Sequence, residues 1–180
     1  MKMYFIDQRK VFPFLKPVEV WDEQGNVRYR VKSKCTVGLQ LLLLTPYDEE
    51  AASIRQKISL GTKFIVKVND KILTVKRTAT LKGERYCVVS ELNWKAEGFL
   101  VYRTYQITAG DQQIAQVRMV EFSKGHKDAL YEALKKIAHV PLSELDQGTC
   151  CEIEFSDDQN EAEVLAVVMA IEAALSVGRG

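Results

Sequence analysis

The sequence is poor in the residues that build common catalytic and metal sites. It has two histidines and four cysteines among 180 residues, and no pair of cysteines has the C-x-x-C spacing. The absence of that spacing argues against a zinc site and against a thiol redox motif. The net charge is only +1, so no global field attracts nucleic acid or an anionic membrane. We therefore expect no metal, no cofactor and no nucleic-acid partner.

Signals for export and for disorder are also scarce. The opening segment reaches the charged Asp7 too early to form the apolar core of a signal peptide. Together with the cysteine pattern, this predicts a reducing, cytoplasmic location. Apolar residues make up 47% of the chain and charged residues 27%, as in ordinary globular proteins. We expect a single domain over residues 1–180.

Short strands joined by tight turns dominate the first two-thirds of the chain. Val27–Lys32 alternates apolar and basic residues, which is typical of a strand with one solvent-exposed face. Glu23–Asn26 before it contains glycine and asparagine, which favour a turn. Asn69-Asp70 forms the turn of a clearer hairpin. The further predicted strands include Val18–Asp22, Leu39–Leu44, Ala52–Ile58, Phe64–Val68, Ile72–Lys76, Arg85–Ser90, Leu100–Thr108, Gln112–Phe122 and Cys151–Phe155. About nine or ten such strands at even spacing predict an antiparallel sandwich or barrel.

Two segments have helical patterns. Lys127–Ala138 places alanine, leucine and isoleucine at helical spacing, which predicts an amphipathic helix, and Leu142–Thr149 after it is predicted to be a loop. Asp157–Asn160 offers capping groups for a second helix, over 160–176. Its run Val164–Ile171 is apolar on all sides but too short for a membrane span of about 20 residues, so burial in protein is favoured. Glu172 either reaches an open end of the fold or pairs with a buried Arg or Lys.

These patterns together resemble a known family. Tyr4–Arg9 resembles its opening strand, Val18–Val31 its first hairpin, and Ala51–Lys57 a strand with alanine, isoleucine and basic residues. Phe99 and Tyr105-Gln106-Ile107 before Gly110 are similar to its central hairpin, and Val164–Glu172 to its closing helix. On these segments the chain resembles the LURP-one-related (LOR) family of the tubby C-terminal-like superfamily.

The resemblance implies a mainly β fold, a closed antiparallel barrel of about twelve strands around the buried hydrophobic C-terminal helix. It also implies a relation to proteins that act at membranes, since tubby and phospholipid-scramblase relatives do so. The family has no counterpart of 126–149, so the predicted amphipathic helix and loop are an insertion. We expect a non-enzymatic binding or scaffold domain of the LOR type, whose partner is a protein or an anionic membrane surface, and no transmembrane segment.

A more specific hypothesis is binding of anionic lipids or phosphoinositides. Basic residues are dense on the predicted strands between 63 and 85, with only Asp70 and Glu84 as acids. Such a cluster could face phosphates. The competing interpretation is that lysines protect exposed sheet edges and keep the fold soluble. The candidate residues are Lys63, Lys67, Lys71, Lys76, Arg77, Lys82 and Arg85.

Cysteines and acidic residues form weaker patterns. A cysteine-dependent hydrolase would combine Cys150 or Cys151 with His139, but no motif joins them, and inert buried thiols are the simpler interpretation. Many acidic residues lie between 144 and 163, where they could match the basic stretch, bind a cation or a basic partner, or start the helix. Trp21 and Trp94 are predicted to be core or strand-face residues.

Overall fold

The computed structural model describes residues 1–6, 17–36, 38–57, 62–79, 85–123 and 147–177. These described residues form twelve strands and one α-helix. The strands are β1 (Lys2–Ile6), β2 (Val18–Asp22), β3 (Val27–Thr36), β4 (Gly38–Leu44), β5 (Glu50–Lys57), β6 (Lys63–Val68), β7 (Lys71–Ala79), β8 (Arg85–Val89), β9 (Trp94–Phe99), β10 (Thr104–Ala109), β11 (Gln112–Ser123) and β12 (Gln147–Phe155). The helix, α1, spans Glu161–Val177.

The strands form a closed antiparallel barrel. Each strand pairs with its neighbours in sequence, and β1 closes the barrel against β12, with Phe5 opposite Cys151. This confirms the prediction of a mainly β, twelve-stranded barrel. The strand count by pattern alone was too low, because β1 and β9 have weak sequence signals.

Alternation along each strand determines which side chains fill the barrel. In β6, Phe64, Val66 and Val68 are buried, while Lys63, Ile65 and Lys67 between them point to the outside. A period of two follows from the pleat of a strand. The buried residues of all twelve strands form one core with the helix.

Helix α1 runs through this core. All residues from Glu163 to Leu175 are buried, which explains why the helix has no polar face. Asn160 caps its start, because its side-chain oxygen accepts a hydrogen bond of 2.9 Å from the backbone N–H of Glu163. The predicted capping segment and the buried central helix are both confirmed.

The segment after Trp94 differs from the prediction. The expected strand Leu100–Thr108 is divided: Leu100–Tyr102 forms a short 3-10 turn, and the strand β10 starts at Thr104. The turn joins β9, which was not predicted, to β10. Gly98 (φ +128°) and Arg103 (φ +54°) both have backbone angles that reverse the chain here. Local pattern suggested one continuous strand because these angles are not visible in it.

The last strand also begins earlier than expected. β12 starts at Gln147, so the final residues of the predicted loop Leu142–Thr149 belong to a strand, and that part of the prediction was wrong. Pairing with β11, which places Gly148 opposite Phe122, overrides the turn preference of glycine. The predicted helix Lys127–Ala138 and the rest of the insertion up to residue 146 lie outside the described residues.

Candidate functional site

The seven basic candidates do not lie on one surface. Lys63, Lys67 and Lys76 point to the outside of the barrel, on the opposite strand faces from the buried residues of β6 and β7. Lys71 and Arg77 share the inward face of β7 with Leu73 and Val75. The exposed Arg85 begins β8, and Lys82 lies outside the described residues.

The two inward-facing basic residues hold the central helix at its opposite ends. The ammonium of Lys71 lies 2.7 Å from the buried carboxylate of Glu163, at the start of α1. The guanidinium of Arg77 donates a hydrogen bond of 3.2 Å to the carbonyl of Ala174, near the helix end. These contacts follow the helix dipole, since carboxylates favour the N-terminus and cations the C-terminus. Lys71 and Arg77 therefore have a structural partner.

Three lysines lie side by side on three neighbouring strands of the outer wall. Lys57 of β5 is paired with Lys63 of β6, and Lys63 is paired in turn with Lys76 of β7. Among the described residues, no carboxylate lies within 4.0 Å of any of these three ammonium groups. Like charges opposite each other on neighbouring strands are destabilising. We call Lys57, Lys63 and Lys76 the lysine row.

Two more basic residues lie on the outer wall beside the lysine row, on β3 and β5. Gln40 of β4 lies between Lys34 of β3 and Arg55 of β5, and each pair is in direct register. Sequence reasoning missed Lys57, Lys34 and Arg55 because they precede the dense basic stretch. Only the register of β3 to β6 places Lys57 opposite Lys63 and aligns Lys34 with Arg55 across β4. The strand alternation of β5 already placed Arg55 and Lys57 on one face.

The described residues have opposite charges at the two ends of the barrel. Because neighbouring strands are antiparallel, the β2–β3, β4–β5, β6–β7, β8–β9 and β10–β11 turns all lie at the end where α1 starts. The last residues of β3, β5, β7 and β9 and the first residues of β4, β6, β8 and β10 lie at the end where α1 finishes. We call these the acidic end and the basic end, after the charges described next.

The acidic end carries carboxylates in every one of its turns. They are Asp22, Glu23, Asp48, Glu49, Glu50, Asp70, Glu91, Asp111, Asp157, Asp158, Glu161 and Glu163. Arg28 at this end is bound to Glu161 at 3.1 Å. The described basic end instead carries Lys34, Lys57, Lys63, Arg77, Arg85 and Arg103. Its nearest carboxylates are Glu97, paired with Lys95, the exposed Glu121, and the buried Glu172.

Glu172 belongs to a buried polar cluster near the basic end. Its carboxylate lies 2.5 Å from Nε of Arg103 and accepts a hydrogen bond of 3.2 Å from the hydroxyl of Tyr105. This confirms the expectation that Glu172 pairs with a buried basic residue. Burial and the nearby Glu172 carboxylate raise the pKa of Tyr105 well above its usual value. The cluster is mostly buried and joins β10 and the residue before it to the helix.

The described cysteines lack the environment of a nucleophile. Cys87, Cys150 and Cys151 are buried thiols that form no disulfide. Burial raises the pKa of Cys87 to about 12, although Arg77 opposes the shift, and burial with the Glu152 carboxylate raises the pKa of Cys150 to about 12. A reactive thiol needs a lowered pKa. His139, the base of the predicted hydrolase, lies outside the described residues.

Several acidic residues before and at the start of the helix form ion pairs with basic residues of the barrel strands. Glu161 and Glu163 bind Arg28 and Lys71, and the buried Glu152 lies 2.5 Å from Arg118. Over the described parts of the chain, no group of three or more histidine, cysteine or acidic side chains is arranged to hold a metal ion. In those parts, no helix is long and apolar enough to cross a bilayer.

Aromatic residues divide into buried and exposed sets. Trp21 and Trp94 are buried, in agreement with the prediction for both. Phe99 and Tyr102 are each 70% exposed, at the β9–β10 turn of the basic end, and Tyr47 is 86% exposed at the acidic end. Sequence reasoning did not identify this exposed set, because an aromatic residue beside a strand is usually assigned to the core.

Comparison with known proteins agrees with this architecture. The model of the LURP-one-related family matches residues 3–132, which is more than half of the chain. The chain belongs to the LURP-one-related family. The searches among curated proteins and among solved structures found no match.

The LURP-one-related match covers β1 to β11 and ends inside the predicted insertion. Strand β12 and helix α1 lie beyond it, so the closing parts of this LURP-one-related barrel are established by the structure. The lysine row, the hairpin tip with Phe99 and Tyr102, and Arg103 all lie within the matched range. Glu172, the partner of Arg103, does not.

Proposed function

We propose that this LURP-one-related protein acts by binding rather than by catalysis, and that its ligand is an anionic membrane surface. The lysine row carries the proposal. Lys63 lies between Lys57 and Lys76 on neighbouring strands, with no carboxylate nearby among the described residues, so the like charges repel each other. Lipid phosphates laid across Lys57, Lys63 and Lys76 would offset that repulsion.

The charge difference between the two ends supports a preferred orientation. The basic end, with the lysine row beside it, would face the membrane, while the carboxylates of the acidic end point away. A basic residue near an anionic membrane contributes roughly 1 kcal/mol, and the attraction decreases with salt. Arg77 and Arg103 are bound to the helix, but Lys34, Lys57, Lys63 and Arg85 remain, and with Lys76 of the lysine row they are enough for weak, reversible binding.

The interior gives no support to the hydrolase hypothesis. The helix fills the barrel, and the thiols of Cys87 and Cys150 are buried and protonated at neutral pH, since their pKa values are raised to about 12. A nucleophile must meet its substrate and be deprotonated. The outer wall is therefore the better candidate for a function.

Cosedimentation with vesicles tests the proposal. Vesicles of phosphatidylserine and phosphatidylcholine are compared with pure phosphatidylcholine, at low and at physiological salt. We expect binding only to the anionic vesicles, weakened by salt. The Lys63→Gln/Lys76→Gln variant loses two charges of the lysine row, so its binding is expected to fall roughly 30-fold, at about 1 kcal/mol per lysine.

The matched control is the variant Lys32→Gln/Lys95→Gln. Its two lysines also lie on the outer wall, but they are paired with Asp48 and Glu97. The change in net charge is the same, so a purely global charge effect would weaken both variants equally. Absence of wild-type binding to anionic vesicles at low salt, or equal losses in the two variants, would contradict the proposal.

A further inference from the structure

We infer that the tip of the β9–β10 hairpin inserts Phe99 and Tyr102 into the headgroup region of the membrane. The inference rests on the proposed function and adds an apolar contact to it. Phe99 and Tyr102 are each 70% exposed; Phe99 precedes the short 3-10 turn at the basic end, and Tyr102 is the last residue of that turn. Tyr102 combines an apolar ring with a polar hydroxyl, which favours the interface between lipid and water, and the wholly apolar ring of Phe99 gains free energy by leaving water.

Contacts on both sides of the two exposed rings anchor the hairpin tip to the barrel. Leu100, between them, is buried in the barrel core at 2% exposure. Arg103 follows directly and is bound to the buried Glu172. A side chain at Gly98 would place its Cβ 2.9 Å from the carbonyl oxygen of Thr104, so the chain can approach itself only with glycine there. A preformed tip loses little conformational entropy on insertion.

Charge favours a lipid bilayer as the occupant of this surface. The exposed rings lie at the end of the barrel that also carries Arg85, Lys57 and Lys63. Basic residues around exposed aromatics are the combination that binds anionic interfaces, where the charge attracts the surface and the ring enters it. Tyr47, equally aromatic and more exposed, lies among Asp48, Glu49 and Glu50 at the acidic end. Such a surface is repelled by anionic lipid.

Fluorescence distinguishes the two ends. In the variant Phe99→Trp, we expect the tryptophan emission to shift to the blue when vesicles of phosphatidylserine and phosphatidylcholine are added. The native Trp21 and Trp94 are buried, so their emission is expected to stay constant. The control Tyr47→Trp places the probe at the acidic end, and its emission is expected not to shift.

Binding of polar variants gives an independent measurement. Phe99→Ser and Tyr102→Ser are each expected to bind the same vesicles about tenfold more weakly, because an apolar ring no longer leaves water. Their salt dependence is expected to match the wild type, since the lysine row is intact. Tyr47→Ser is expected to bind like the wild type.

The outcomes separate this inference from the proposed function. If the lysine-row variant loses binding while Phe99→Ser and Tyr102→Ser retain it, the inference is wrong and the proposed function stands. If the wild type does not bind anionic vesicles, both fail. A blue shift of Phe99→Trp on raising the protein concentration without vesicles would assign the tip to contact with a second copy and overturn the inference.

Discussion

The guanidinium of Arg103 lies 2.5 Å from the carboxylate of Glu172, and it joins the β9–β10 hairpin to the central helix. Both side chains are mostly buried, at 14% and 5% exposure. The hydroxyl of Tyr105 donates to the same carboxylate at 3.2 Å. Because the exposed tip lies next to Arg103 in the chain, this ion pair fixes both the helix and the candidate membrane contact.

Removing the carboxylate is expected to destabilise the protein strongly. In Glu172→Leu, the Arg103 charge stays buried without its partner, which costs about 3 kcal/mol in the free energy of unfolding. Urea denaturation measures the loss. The double variant Arg103→Met/Glu172→Leu is expected to recover most of it, because no unpaired charge is left. A loss below about 1 kcal/mol in the single variant would show that the pair is not needed.

The central helix is expected to be essential for folding. Deleting Val164–Gly180 removes many fully buried side chains, each contributing about 1.5–3 kcal/mol, so the total exceeds ordinary domain stability. The truncated protein is expected to be insoluble or unfolded, as measured by circular dichroism. The milder change Leu165→Ala is expected to leave a folded protein destabilised by about 2–5 kcal/mol. A soluble, folded truncation would contradict the central place of the helix.

Asn160 is expected to matter for the start of the helix. Its side-chain oxygen accepts hydrogen bonds from the backbone of Glu163 at 2.9 Å and from the amide of Asn69 at 2.8 Å. Asn160→Ala loses both and is expected to lower the free energy of unfolding by about 1–2 kcal/mol. Asn160→Asp keeps the acceptor oxygen and is expected to be nearly as stable as the wild type. Equal losses in the two variants, measured by urea denaturation, would exclude a capping role.

Stability is expected to fall at alkaline pH. Burial raises the pKa of Cys87 from 9.0 to about 12 and, with the Glu161 carboxylate, raises the pKa of Tyr29 from 10.0 to about 12. Above pH 9 the unfolded chain releases protons that the folded chain keeps, so the free energy of unfolding decreases as pH rises. The stabilisation is complete below pH 9 and is lost by about pH 12.

Thermal melting between pH 7 and pH 11 measures this effect. Cys87→Ala is expected to decrease less steeply with pH above 9 than the wild type, because one of the titrating groups is absent. A thiol reagent is expected to label Cys87 and Cys150 only after unfolding. Rapid labelling of Cys87 or Cys150 in the native protein at neutral pH would contradict both the buried thiols and the proposal of a non-catalytic protein.

Much of the fold is determined by local sequence. The alternation of Val27–Lys32, the turn at Asn69-Asp70 and the unbroken apolar run Val164–Ile171 each predict an element that the structure contains. These features are local, because a turn needs residues that accept positive φ, and a helix buried on every side cannot have a polar face. The seven basic candidates, in contrast, could be named from sequence but not assigned to surfaces.

The tertiary structure decided what those residues face. Lys71 and Arg77 bind the helix because the register of β7 directs them inward, and Lys57 joins Lys63 and Lys76 because three strands align them. Strand register depends on pairing between distant segments. The opposite charges of the two ends arise in the same way, since closing the barrel gathers turns that are far apart in sequence. Composition showed a net charge near zero, and only the closed barrel separates that charge into an acidic end and a basic end.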